Sequence, residues 1–269
     1  MDSVTLNDRE FAQIRDFMYR RTGISMGDGK KALVSGRLHK RIQHYGLRSF
    51  MEYFQFITSG SEPAELQLAI DLLTTNETYF FREEKHFEYI KTQILPGLRA
   101  YAPFRVWSAA CSSGEEPYSL AMLLADRMPP GSDWDVVASD ISTRVLERAR
   151  GGLYPMERVD RIPADYLKRY CLKGTGDYEG MLLVAKSLRD KVRFAQVNLV
   201  APLPEVGPFD LILLRNVMIY FDNDTKRQVV ERLLKVLKPD GHLFIGHSES
   251  LMGITRKVAM LRPSIYRHA

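Results

Sequence analysis

Residues 104–117 read Phe104-Arg105-Val106-Trp107-Ser108-Ala109-Ala110-Cys111-Ser112-Ser113-Gly114-Glu115-Glu116-Pro117, and this stretch decides the fold. It opens as a short apolar run of strand length, Phe104–Ala110. A loop of small residues follows, and Tyr118–Arg127 then continues with helical spacing. The same rhythm returns downstream. Asp135–Ser139, Val192–Val197, Phe209–Leu214 and Leu243–Gly246 read as further strands, and Thr143–Arg150 and Thr225–Leu237 as further helices. Alternating short apolar strands and amphipathic helices predict an α/β fold with a parallel sheet and crossover helices. Lys238-Pro239-Asp240-Gly241 predicts a sharp turn into the last central strand.

On either side of this core the rhythm changes. The first eighty-odd residues are helical throughout. Asn7 and Glu10 have capping-box spacing, with Leu6 and Phe11 as the hydrophobic staple. Phe11, Ile14, Phe17 and Met18 share one face, and Gly23 is a natural stop. A second helix, from about Lys31 to Tyr45, carries Val34, Leu38, Ile42 and Tyr45 as its apolar stripe. Ser49 and Glu52 predict another capping box, and Leu66, Ala69, Ile70 and Leu73 mark a fourth helix. Between Gly151 and Lys191 the alternation stops. Arg169–Leu172 and Leu182–Ala185 flank a glycine-rich loop, Gly174 to Gly180, which reads as a β-hairpin inserted into the α/β domain.

Composition bounds the class. The 269 residues are 45% hydrophobic and 26% charged, an ordinary globular balance. Two cysteines, Cys111 and Cys171, supply neither a disulfide framework nor a four-ligand zinc site, which favours a reducing cytosol. Met1 to Glu10 is polar and lacks a signal pattern. No apolar run approaches the roughly 20 residues of a membrane span. Net charge is +5 and the pI about 9.1, compatible with a polyanionic partner. The basic excess is local, because no acid falls between Lys30 and Met51. Arg37, Lys40, Arg41 and His44 occupy i, i+3, i+4 and i+7 there, which predicts one exposed basic strip.

In a doubly wound sheet the ligand sits at the carboxyl ends of the strands. The loop Ala110–Pro117 has neither the GxGxxG nor the GxxxxGK[ST] spacing, and it places Glu115 and Glu116 where a dinucleotide would put phosphates. NAD and ATP are disfavoured on that ground, and a cationic nucleoside such as S-adenosylmethionine fits better. Asp140, at the end of the second strand, stands where an acid accepts ribose hydroxyls; its plain alternative is a cap for the helix beginning near Ser142. First-turn capping is the corresponding alternative for Glu115 and Glu116. Asn198 and Asn216 stand at strand ends, where their amides could read an adenine edge or an amino-acid group. Asn76, Thr78 and Arg82, at helical spacing between the two halves, are expected to converge on one face. His86, His242 and His247 show no partner pattern.

Four runs in this order, Asn76–Arg82, Trp107–Pro117 (WSAACSSGEEP), Arg215–Asp222 (RNVMIYFD) and Leu237–Ser248 (LKPDGHLFIGHS), resemble the chemotaxis receptor methyltransferase family, CheR type. The resemblance covers nearly the whole chain. It implies a Rossmann-like sheet domain with an inserted β-subdomain, preceded by a small all-helical domain. The implied division is 1–75 helical, 76–85 a linker contributing to the site, and 86–269 the methyltransferase domain, with the insertion at about 155–190. The implied reaction is methyl transfer from S-adenosylmethionine to glutamate side chains of chemoreceptor signalling helices, without a metal.

By the same likeness Asn76, Thr78, Arg82, Glu115, Asp140, Asn198, Leu199, Arg215 and Asn216 are the expected cofactor contacts, and Arg82 and Tyr220 stand nearest the reacting groups. Arg37, Lys40, Arg41 and His44 would dock the acidic receptor helices. The loop carrying Gly174, Gly176 and Gly180 would hold a receptor C-terminal tail. The enzyme would be cytoplasmic and recruited to membrane receptor arrays, with no nucleic-acid partner and no direct membrane insertion. Two other classes remain: a nucleic-acid methyltransferase, disfavoured because the loop after Leu214 lacks an Asn/Asp-Pro-Pro-aromatic run, and a non-catalytic cofactor-binding scaffold.

Overall fold

The computed structural model describes residues 4–98 and 103–269. Met1 to Ser3, the start of the polar amino terminus, lie outside the described residues. Four helices come first: α1 (Asp8–Thr22), α2 (Lys31–His44), α3 (Phe50–Thr58) and α4 (Pro63–Leu73). The expected capping box forms in full. Glu10 N–H donates to Asn7 Oδ1 at 2.9 Å, and Asn7 N–H donates to Glu10 Oε2 at 3.0 Å. Leu6 and Phe11 are both buried, as a staple requires. The second box forms differently: Ser49 Oγ accepts from Glu52 N–H, but Glu52 reaches back to Arg48 N–H rather than to the cap residue. Phe11, Ile14, Met18, Val34, Leu38, Ile42, Phe50, Tyr53 and Ile70 make a separate core for these helices.

The chain then runs through α5 (Glu84–Tyr89), β1 (Phe104–Ala109), α6 (Glu115–Arg127), β2 (Trp134–Asp140) and α7 (Thr143–Gly151). Next come β3 (Leu153–Pro155), α8 (Ala164–Tyr170), β4 (Cys171–Lys173), β5 (Met181–Val184), α9 (Lys186–Arg189) and β6 (Val192–Gln196). β7 (Phe209–Leu214), α10 (Asn223–Leu234), β8 (Leu237–Ile245), β9 (Val258–Arg262) and β10 (Ile265–His268) complete it. The main sheet has seven strands in the order β6-β2-β1-β7-β8-β10-β9. The first five are parallel, and β10 and β9 add antiparallel at the far edge. From β1 the chain winds outward to β2 and β6, then crosses back to β7. The switch point therefore lies between β1 and β7, and ligands bind outside the strand ends there. The predicted turn Lys238–Gly241 loops out of the ladder within β8, between the pairs Phe209–Leu237 and Leu211–His242.

Two corrections concern local structure. The insertion is a three-stranded sheet, β3-β5-β4, not a two-stranded hairpin. Leu153–Pro155 is too short and too close to the preceding helix to show a period of its own. Within the insertion, a Cβ on Gly174 would meet Tyr178 O at 1.9 Å, so only glycine fits. The second correction is the basic strip on α2. Arg37 donates to the carbonyls of Leu73 (3.2 Å) and Thr74 (2.9 Å). Arg41 forms a two-pronged pair with the buried Glu65 at 2.8 and 2.6 Å, to which Tyr53 adds a hydrogen bond at 2.6 Å. Burial works against the Glu65 charge, but these donors outweigh it and hold the carboxyl below its usual range. Lys40 and His44 alone of the four are exposed. Arg37 and Arg41 hold helices together.

The two halves are joined at the start of α7. This helix follows β2 directly, and the Ser142 hydroxyl at its cap position makes no hydrogen bond. The cap comes instead from α4: buried Asp71 accepts from Thr143 N–H (3.1 Å), Thr143 Oγ1 (2.8 Å) and Arg144 N–H (3.1 Å). Gln67, one turn earlier, donates to Asp71 and to Ile141 O. A side chain from one core thus satisfies the orphan amides of a helix in the other. Replacing it strands buried donors, so Asp71→Ala is expected to lower the unfolding free energy by about 1–3 kcal/mol. Urea denaturation reads this as a lower midpoint, and an unchanged midpoint would show that water caps the helix equally well.

Candidate active site

A cavity opens at the switch point. Its floor is the loops after β1 (Ala110, Cys111, Ser112), β2 (Asp140, Ile141), β6 (Val197, Asn198, Leu199) and β7 (Arg215, Asn216, Val217). Thr74 to Thr78 with Arg82 form one wall, and Tyr220 and Phe221 another. The helical half closes it with Thr22, Ile24, Ser25, Met26, Lys30 and Leu33. Backbone ties fix this closure: Ser25 N–H donates to Tyr220 O at 2.8 Å, and Asn198 Nδ2 donates to Arg21 O at 2.7 Å.

Residues 75–79 are not helical, so Asn76, Thr78 and Arg82 do not share a helical face as their spacing suggested. They reach one cavity because the segment runs across it. Ser112 Oγ donates to Asn76 O, Arg158 Nη2 to Thr78 O, and Ser119 Oγ accepts from Phe81 N–H. Phe80 is buried against Tyr154, with ring centres 4.9 Å apart. Among the described residues, six non-glycine residues have positive φ, and five of them, Phe81, Glu83, Ala110, Ser112 and Asn216, belong to the loops that meet here. Such backbone persists where surrounding contacts over-determine it.

The loop Ala110–Pro117 is folded as a strand-to-helix turn, and Gly114 at φ 96° is its pivot: a Cβ there would lie 2.8 Å from both Ala149 Cβ and the Tyr154 hydroxyl. Its two acids do not present bare charge to the cavity. Glu115 is fully buried, lies outside the cavity lining, accepts from Ser113 Oγ (2.7 Å) and pairs with Arg158 (2.9 Å). Glu116 lines the cavity but accepts from Ser108 Oγ (2.6 Å) and Arg215 Nη1 (2.7 Å). Burial pushes both carboxyls up, against the pull of these partners.

Arg215 is the most heavily engaged side chain at the site. It donates to Glu116, to Glu83 Oε2 (Nη2 at 3.1 Å, Nε at 3.3 Å) and, by a short bond, to Arg82 O. Asn216 Nδ2 donates to Glu83 Oε1 at 3.1 Å, and Asn216 N–H to Glu249 Oε2 at 3.0 Å. Both strand-end amides are thus committed to the protein: Asn198 joins the halves and Asn216 holds Glu83. Glu83, Glu249 and Arg158 escaped the sequence reading. Glu83 and Glu249 lie inside two of the quoted runs or directly beside them, which is the one signal that could have found them. His86 and His247, far apart in sequence, also meet at Glu83, with ring centres 4.7 Å apart.

Asp140 keeps capacity for a ligand. Oδ2 accepts from Ser112 N–H (2.9 Å) and Oδ1 from Ser142 N–H (3.0 Å), and the Ile141 amide also acts on the carboxyl. Two carboxylate oxygens offer about four lone-pair sites, so acceptor capacity remains. Burial pushes this carboxyl up while the backbone donors pull it down. Arg82 donates to Glu77 O at 2.9 Å and lies over the Tyr79 ring at 5.6 Å, leaving most of its donors unused.

Known proteins agree with this geometry. Residues 9–74 match the CheR methyltransferase all-alpha domain, and residues 76–266 match the CheR methyltransferase SAM binding domain. The chain is 42% identical to the chemotaxis protein methyltransferase of Escherichia coli, over 98% of this chain and 92% of that protein. It is 43% identical to chemotaxis protein methyltransferase 2 of Pseudomonas aeruginosa, over 97% and 93% respectively. An α/β sheet with a cavity at its switch point, closed by four helices and preceded by no phosphate loop, is therefore the SAM-binding fold of a known group, and the chain belongs to the CheR methyltransferase family.

Proposed function

We propose that this chain transfers a methyl group from S-adenosylmethionine to glutamate side chains of chemoreceptor signalling helices, leaving a glutamate methyl ester and S-adenosylhomocysteine. The observation that carries the reading is Asp140. It is a buried carboxylate at the end of β2 with acceptor capacity left, lining a cavity walled by Ile141, Leu199 and Phe221. That set suits a ribose beside a flat apolar base. The bound cofactor supplies an activated methyl on a sulfonium, a good leaving group.

Little else is required of the protein. A glutamate of pKa about 4.3 is already the nucleophile at neutral pH, so no general base is needed. Attack of a carboxylate on a methyl sulfonium cancels two charges, and excluding water from the cavity favours it. The remaining demand is alignment, which is worth up to about 7–11 kcal/mol. Arg82 has unused donors at the cavity wall to orient the acceptor carboxylate, and Tyr220 borders the same opening. Arg215 and Asn216 act through Glu83, as positioning residues for the Arg82 loop.

For docking, Lys40 on α2 and Lys30 at the cavity edge offer positive charge to an acidic helix and exposed His44 offers a hydrogen-bonding ring beside them, since Arg37 and Arg41 are engaged. A receptor tail would add to the open edge of β4 beside Gly174, Gly176 and Gly180. On this reading the enzyme works in the cytoplasm, and the two footholds recruit it to receptor arrays. No helix among the described residues is long and apolar enough to cross a membrane.

The deciding experiment supplies radiolabelled S-adenosylmethionine with acidic helical receptor fragments, and with RNA and DNA as controls. Label on the receptor that leaves as methanol in mild alkali identifies a carboxyl ester; alkali-stable label, or label on nucleic acid, overturns the assignment. Asp140→Ala should weaken S-adenosylhomocysteine binding about tenfold or more, as expected for loss of hydrogen bonds to a charged acceptor. Calorimetry on the folded variant checks it, and retained affinity would remove Asp140 from the cofactor site. Changing Lys40 and His44 together to Glu should raise KM for receptor several-fold at low salt, with donor affinity unaltered. An unchanged KM would return both residues to a solvated face.

A further inference from the structure

Behind the loop that carries Arg82, away from the cavity lining, three side chains converge: Glu83, His86 and His247. One ligand atom from each lies within 4.8 Å of the others. His86 is 1% exposed, and its Nδ1 has no hydrogen-bond partner. Its other nitrogen, Nε2, lies 2.7 Å from Ser264 Oγ, a hydroxyl that also stands 2.5 Å from Pro263 O. With the Ser264 proton turned to Pro263 O, Nε2 carries the ring hydrogen and Nδ1 presents a lone pair.

Nδ1 stands 3.4 Å from Glu83 Oε2. In that tautomer a lone pair meets a carboxylate oxygen in a buried place, and a cation held between the two relieves their repulsion. The separation is what a tetrahedral ion imposes: bonds of about 2.0–2.1 Å to N and O put neighbouring ligand atoms roughly 3.3–3.4 Å apart. The surroundings are also those of a metal-ligating histidine, whose second nitrogen is held by a fixed acceptor, and of a ligating carboxylate, oriented here by Asn216 Nδ2 and His247 N–H on its other oxygen. His247 is exposed, so its ring can swing inward by the remaining distance and provides the entry path.

We propose that Glu83, His86 and His247 form a binding site for a divalent d-block cation of the zinc type, with the fourth position open to water. Two imidazoles and one carboxylate select against magnesium and calcium, which take oxygen ligands. Arg215 approaches the same Glu83 oxygen from the other side, so ion and guanidinium share one acceptor, which limits affinity. The same sharing links occupancy to the cavity wall, because Arg215 lines it.

The test titrates the metal-stripped full-length protein with Co²⁺, followed by visible absorption, then displaces it with Zn²⁺. One Co²⁺ per chain with the intense bands of low-coordinate ligation is expected. His247→Ala removes a ligand but keeps the backbone N–H that holds Glu83, so it should fold, bind S-adenosylhomocysteine normally and lose at least tenfold in Co²⁺ affinity. His242→Ala, at a histidine outside the cluster, should bind Co²⁺ as the native chain does. No spectral change in the native chain, equal affinity in His247→Ala, or loss in His242→Ala instead would each overturn the site.

Discussion

The Arg215 guanidinium, pressed between Glu116 and Glu83, is the constraint on which the site depends. Its side chain is only 2% exposed, and it draws together three pieces of chain at one point. Glu116 belongs to the helix after β1, Arg215 to the end of β7, and Glu83 to the segment entering the sheet domain. A buried ion pair of this kind contributes little net stability against an apolar replacement, but removing one member leaves an uncompensated charge. Its return is geometric. The guanidinium grips the Arg82 carbonyl and sets the left-handed backbone at Glu83 and Asn216. The Arg82 side chain is thereby aimed from a loop that has no regular structure to aim it.

Around that clamp the cavity is electrostatically quieter than its composition suggests. Glu115 is matched by Arg158, Glu116 by Arg215, and Glu83 by Arg215 together with amide donors. Asp140 is the buried exception: backbone amides donate to it and no basic side chain forms a salt bridge with it among the described residues. A site that takes a cationic, neutral-sugar ligand gains from a buried unpaired carboxylate at a defined place rather than a diffuse negative field.

Much of the fold was legible because its signals are local. The capping box at Asn7 and Glu10 needs four residues, Phe209–Leu214 is a largely apolar run with the bounds expected, and the turn at Lys238–Gly241 is announced by Pro and Gly. The strand-end part of the cavity lining was legible too, because strand ends in this topology are fixed by the strands, whereas Glu115 lies outside the lining and the wall from Thr22 to Leu33 carried no signal. What stayed hidden was the commitment of polar side chains to distant partners. Helical spacing placed Arg37 and Arg41 on one face of α2, but whether that face meets water is decided by Glu65 and by the carbonyls ending α4. Asn198 and Asn216 look identical as strand-end amides, yet one spans to α1 and the other to Glu83. His86 and His247 meet only because β8 and α5 lie against each other.

The borrowed cap on α7 bears on how portable these two halves are. A helical bundle that merely presented cations to a partner could be exchanged for another, as accessory modules often are. Here the bundle supplies Asp71 to a helix that begins three residues after the β2 carboxylate Asp140, and Gln67 holds the Ile141 carbonyl between them. A chimera carrying a foreign bundle would need an acid at the matching turn of its last helix, or the loop after β2 would start from a frayed end. Exchanging the whole bundle between relatives therefore disturbs the loop at the sheet's ligand-facing edge unless that acid travels with it.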